Sequence, residues 1–122
     1  IGDFILFNAN EGIVIERDGS QGDPNGFKKL FRVKLGNSGD YVSKSELVNL
    51  MAINDPAGIA GKGDSGDIGM GSNFGMPFNT IEDVLIVDAN TLLVIDDNAG
   101  HVQNLVIRGG YAAFMAAGGL VA

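Results

Sequence analysis

The chain has 122 residues, 45% of them hydrophobic and 19% charged, with a net charge of −7. That length supports one domain with a real core, and the composition is ordinary for a globular protein. The acidic balance argues against nucleic-acid binding and repels phosphate esters unless bound cations reverse the local field, while the absence of cysteine removes disulfides, thiolate metal sites and cysteine nucleophiles.

Phe4 to Phe7 is the first apolar run. Asn8 to Gly12 breaks it, and Ile13-Val14-Ile15 follows, closing on Glu16-Arg17-Asp18. Short β-branched and aromatic runs around a polar break predict an antiparallel hairpin. Asp18 to Gly26 (Asp-Gly-Ser-Gln-Gly-Asp-Pro-Asn-Gly) is turn chemistry throughout. Lys29 to Leu35 reads as a strand with a solvated basic face. Gly36 to Tyr41 reads as a loop. Ser45 is placed as an N-cap before Glu46-Leu47-Val48, which predicts one or two helical turns over 45–51. Asp55 to Gly75 carries seven glycines, at 58, 61, 63, 66, 69, 71 and 75, and is expected to be a glycine-rich loop.

A second hairpin is predicted from Val84-Leu85-Ile86-Val87 and Leu92-Leu93-Val94-Ile95, with Asp88-Ala89-Asn90-Thr91 between them. It repeats the first at an offset of 80 residues, from Phe4 to Val84 and from Asn10 to Asn90. Propeller blades run about 40–50 residues each, so this offset suits one long blade or two short ones. Leu105-Val106-Ile107 predicts one more strand. The Tyr111–Ala122 tail is too short and too rich in Gly and Ala to span a membrane. No signal peptide is visible. The chain starts at Ile1, which suggests a processed piece of something longer.

Several local motifs fail on context. Gly61-Lys62-Gly63-Asp64-Ser65-Gly66 fits the G-x-G-x-x-G pattern, but no helix follows to receive a phosphate. Gly63-Asp64-Ser65-Gly66 resembles a serine-protease tetrad, but the single histidine, His101, comes after the serine. Asp64 and Asp67 among glycines, and the oxygens of Asp18 to Asn25, lack the order of known calcium loops. The acidic strand ends carry more. Antiparallel pairing brings Glu82 and Asp83 beside Asp96, Asp97 and Asn98. Such a cluster either stays in water as strand-end residues or recruits a cation, with Asn98 as a neutral oxygen ligand. Calcium suits that donor set. Carboxylates about 4 Å apart repel by roughly 1 kcal/mol even in water. Glu82 and Asp97 are therefore expected to share a cation or to meet Arg17 from the first hairpin.

Pro77-Phe78, Ile81-Glu82-Asp83-Val84, Asn90-Thr91-Leu92-Leu93-Val94 and Asp97-Asn98 together resemble the C-terminal part of the bacterial "esterase-like activity of phytase" family. Phe4 to Arg17 resembles the family's preceding strand pair, which ends in a similar Glu-Arg, and Phe27-Lys28-Lys29-Leu30-Phe31 resembles its following strand. After Asn98 the pattern departs: Ala99-Gly100-His101 and a Gly/Ala tail stand where the family has a second Asn, an aromatic-Pro pair and an Arg. The resemblance implies a β-propeller-like fold, export to the periplasm or outside the cell, and hydrolase chemistry. It marks Glu16, Arg17, Glu82, Asp97 and Asn98 as site positions; with the acidic strand ends this gives Glu16, Arg17 and Glu82 as the expected catalytic residues and Glu82, Asp97 and Asn98 as the expected ligands of a cation such as calcium.

The expected fold is thus all-β, with antiparallel hairpins forming a partial propeller of two to three blades, and residues 1–122 as one fragment of a larger domain. Two functions are open. One is an ester or phosphoester hydrolase in which Arg17 clamps the anion. The other is a non-catalytic assembly subunit whose open strand edges pair with other chains or with the rest of a parent protein.

Overall fold

The apolar runs on either side of the glycine-rich region fold into two antiparallel sheets. The computed structural model describes residues 1–58, 69–98 and 101–108, with the backbone alone described at 97, 98 and 101–108. Strands β1 (Phe4–Leu6), β2 (Glu11–Arg17), β3 (Lys28–Lys34) and β4 (Ser43–Asn49) form a four-stranded meander in chain order. Strands β7 (Ile81–Asp88), β8 (Thr91–Asn98) and β9 (His101–Arg108) form a three-stranded meander, and the short β5 (Ile53–Asn54) and β6 (Asn73–Phe74) pair with each other. All pairings are antiparallel, and no helix occurs among the described residues.

The 80-residue repeat is realised in the register. Phe4 faces Val14, Ile5 faces Ile13 and Leu6 faces Gly12. In the second hairpin Val84 faces Val94, Leu85 faces Leu93 and Ile86 faces Leu92, each pair displaced by the same offset. The turns repeat as well. The Asn10 amide donates to Asn8 Oδ1 at 2.8 Å, and the Asn90 amide donates to Asp88 Oδ1 at 2.8 Å. Each is a local side-chain bond that fixes a reversal two residues on. Two hairpins thus share alternation, register and turn device.

Three expectations need correction. Asn73–Phe74, inside the glycine-rich loop expected over 55–75, is strand β6, and residues 59–68 of that loop lie outside the described residues. The segment expected to be helical from Ser45 is strand β4. A bulge opposite Leu30 and Phe31 leaves Leu47 without a partner, so Leu47 and Val48 are both buried. Adjacent buried residues break the period of two and imitate a helical face. The basic residues of β3 also do not form one solvated face. Lys29 meets Glu46, Arg32 meets Glu11, and Lys28 is fully buried against Asp18.

The core lies between the two sheets. Ile13 and Ile15 of β2 and Leu30 of β3 pack with Ile81 and Val84 of β7 and Leu92 and Val94 of β8. Leu47, Val48, Leu50, Ile53 and Met76 close the side. Ile5 and Ile86, one from each hairpin, pack at its edge. Asp3 ties the sheets together directly: its Oδ2 accepts the Val84 amide at 3.0 Å, and its backbone carbonyl accepts the Ile15 amide at 2.9 Å. A bulge between Ile81 and Asp83 lets Ile81 and Val84 both point into the core, with Glu82 displaced to the surface.

Candidate functional site

The end of the sheets where β2 finishes and β7 begins gathers the polar groups. Alternation places Arg17 on the same face of β2 as Ile13 and Ile15, so its side chain reaches toward the second sheet. Arg17 Nε donates to the Ile81 carbonyl at 2.9 Å, and a terminal NH2 lies 3.5 Å from Glu82 Oε1. The bulge at Glu82 presents that carboxylate to the guanidinium. Half-exposed pairs of this kind are worth about 0–1 kcal/mol, so Arg17 docks chiefly through the carbonyl.

Opposite β7, Ile81 pairs with Asp96. Asp96 is fully buried; its Oδ1 accepts the Thr80 hydroxyl at 2.7 Å, and its Oδ2 has no hydrogen-bond partner among the described residues. Sequence reasoning placed Asp96 in the acidic cluster but gave it no role of its own. The alternation that buries Val94 also buries Asp96, which the strand pattern could have shown. The backbone of Asp97 and Asn98 follows directly, paired with Val102 and His101 of β9. The side chains of Asp97, Asn98 and His101 lie outside the described residues, as do Gly61 to Gly66 and Asp67.

Glu16 points to the other face of β2. Its carboxylate receives Lys44 Nζ at 2.8 and 3.0 Å, and the same ammonium sits 4.3 Å from the centre of the Phe31 ring. The structure thus brings Arg17 and Glu82 together and holds Glu16 apart from them. Among the described residues no three His, Asp or Glu side chains converge as a metal site. Glu82, the described member of the expected calcium set, already faces a cation in Arg17.

The Asp18 turn borders this end. Gly22 donates to the Pro77 carbonyl at 2.7 Å, and Asn79 donates to Gln21 Oε1 at 2.8 Å, which fixes the approach to β7. The turn was expected to offer oxygen ligands in water. They surround an ammonium instead. Lys28 Nζ donates to the Asp18 carbonyl at 3.0 Å, Asp18 Oδ1 at 2.5 Å, the Ser20 carbonyl at 2.9 Å and Ser20 Oγ at 3.3 Å. The Lys28 hydrogen bond, with help from Ser20, holds the Asp18 carboxyl well below its ordinary 3.8. On β2, a hydrogen bond from Arg32 likewise lowers the Glu11 carboxyl below its ordinary 4.5.

A family model described as "Phytase-like: Esterase-like activity of phytase" matches residues 1–100. The chain belongs to this phytase-like family. Its matched span contains both hairpins, the Asp18 turn and the Arg17–Glu82 contact. No curated protein and no solved structure matches the chain.

Acid should act on this phytase-like chain through Asp18 and Glu11. Both carboxyls titrate lower in the folded state than in the unfolded one. The stability they contribute is therefore full above their ordinary values and is lost as pH falls through the folded ones. Thermal midpoints measured across pH are expected to be level from about pH 7 to about pH 5 and to fall below about pH 4. A midpoint unchanged down to about pH 2 would show that neither carboxylate is stabilised by folding.

Proposed function

We propose that the chain serves hydrolysis of phosphate or carboxylic esters at the Arg17–Glu82 end, as a blade-bearing part of a β-propeller. The observation that carries this reading is the Arg17–Glu82 contact, which places an anion-binding guanidinium beside a carboxylate within the family's matched span. Two stacked meanders in one repeated register support the propeller architecture. The guanidinium has N–H groups beyond those spent on Ile81 and Glu82 to hold a substrate anion. Glu82 takes the proton of the attacking water as the water oxygen bonds to phosphorus or the acyl carbon, and returns it to the alkoxide oxygen as the P–O or acyl C–O bond to the leaving alcohol breaks. Glu16, bound to Lys44, contributes by holding β2 in place. Calcium beside Glu82, Asp97 and Asn98 would offset the repulsion of an anionic ester. Export follows from the family reading, so the proposed location is periplasmic or extracellular.

A second reading, a non-catalytic assembly subunit, is favoured by a specific observation. Arg17 and Glu16 are both engaged in contacts that hold strands together. Hydrolysis of an aryl phosphate and an aryl acetate by the full chain, with calcium or with a chelator, separates the two. On the hydrolase reading Arg17→Ala raises KM about tenfold or more, and Glu82→Gln lowers kcat by a similar factor. If neither ester is turned over with calcium present, the assembly reading stands alone. A thermal midpoint indifferent to calcium would remove the metal and leave the arginine.

A further inference from the structure

Inside the chain, the face of the first sheet that carries Ile5, Ile13 and Ile15 packs against the face of the second that carries Val84, Ile86 and Val94. The repeat copies each of these faces onto the outside. Leu85, Leu93 and Ile95 are the counterparts of Ile5, Ile13 and Ile15 at the 80-residue offset. They occupy alternate positions to Val84, Ile86 and Val94, so they share the outer face of the second sheet. Phe4, Leu6 and Val14 are the counterparts of Val84, Ile86 and Val94, and they share the outer face of the first sheet. Exposed apolar side chains stand on both outer faces: Phe4 is 46% exposed, Leu6 48%, Leu85 47% and Val87 60%, while Val14 is buried beneath its neighbours and the Glu16–Lys44 and Lys29–Glu46 pairs border Phe4 and Leu6 on the first sheet. Apolar faces of this kind on a soluble sheet mark an interaction surface.

One chain therefore carries both halves of its own sheet-to-sheet interface, one at each end of the stack. We propose that copies of the chain stack head to tail. The Leu85, Leu93 and Ile95 face of one copy covers the Phe4, Leu6 and Val14 face of the next. The contact is heterologous, so each copy can bind one neighbour on each side, and it closes where the rotation allows. Repeats stack through neighbouring faces in this way, each contacting only the next. A polar detail supports the same register. Asp3 receives the Val84 amide across the internal interface, and Asp83 is its counterpart. Across copies, Asp83 would meet the Phe4 amide, which now donates to Asp3 Oδ1 at 2.8 Å. This arrangement uses sheet faces, whereas the assembly reading above uses strand edges, and it does not depend on hydrolysis.

Light scattering and sedimentation of the full chain test it through complementation. The unaltered chain is expected to give masses of two or more copies that rise with concentration to a plateau or into longer stacks. Phe4→Lys alone and Leu85→Lys alone should each reduce the mass to that of one chain. Mixed together, the two variants should restore a one-to-one complex and go no further, because each retains one good face. Leu6→Lys serves as a second lesion of the first face if Phe4→Lys proves unstable by circular dichroism. A chain that stays monomeric at every soluble concentration overturns the proposal. So does a mixture that fails to pair. Assembly that survives both single variants also overturns it, in favour of edge pairing.

Discussion

Lys28→Ala is expected to cost about 3 kcal/mol of stability, seen as a fall of roughly 10 °C in the thermal midpoint. The side chain is fully buried, and its ammonium receives four oxygens from Asp18 and Ser20. A buried ammonium is tolerated only when it is surrounded this way. Removing it leaves two backbone carbonyls without their donor and opens a cavity at the base of β3. The loss then spreads. The Asp18 turn anchors Pro77 and Asn79, which feed β7 and the Glu82 bulge. Lys28→Met separates the causes. It keeps the aliphatic stem and removes only the charge, so it should cost about 2 kcal/mol, most of the alanine effect. It should also flatten the acid response contributed by Asp18, since the lysine hydrogen bond is the main cause of that shift. A methionine variant as stable as the parent would mean that the oxygens are satisfied by water and that Lys28 merely fills space.

The same lysine shows what the sequence does and does not reveal. Its position between Phe27 and Lys29 marks it as part of a strand, but not which face it takes. Lys28, Lys29, Arg32 and Lys34 look like one basic surface. Alternation and three carboxylate partners from other segments scatter them. Those partners are distant in sequence, so no local pattern announces them. The hairpins were legible because register depends on period two and turn chemistry, both local properties. The β4 strand was not, because a bulge hides its period behind Leu47-Val48. At the site, the pairing that sets Ile81 against Asp96 follows from the hairpin alone. The reach of Arg17 across to the second sheet was expected from charge balance. The isolation of Glu16 follows from simple alternation with Arg17, a consequence that the family's Glu-Arg motif obscures.

Ile15→Ala and Ile95→Ala form a matched pair whose difference reads out the stacking of sheets. Both residues are isoleucine, they are 80 residues apart, and they hold matching places: the Ile15 amide donates to the Asp3 carbonyl, and Ile95 pairs with Asp83, the counterpart of Asp3. Ile15 is wholly buried between the sheets, whereas Ile95 is only partly covered. Truncating a buried isoleucine costs the transfer of its methyl groups plus the cavity left behind, about 3–4 kcal/mol here. A partly covered one loses less area and can rehydrate, which gives about 1–2 kcal/mol. Chemical denaturation of dilute protein should show that gap as a lower midpoint for Ile15→Ala, with the slope unchanged. Equal losses would mean that Ile95 is already covered within the single chain. Concentration supplies the second arm. Association adds to apparent stability by mass action, so a residue covered only in the assembly becomes more costly to remove as protein concentration rises. The Ile95→Ala penalty should therefore grow toward the Ile15→Ala value in concentrated solution. The Ile15→Ala penalty itself should stay constant, because its cavity lies inside one chain.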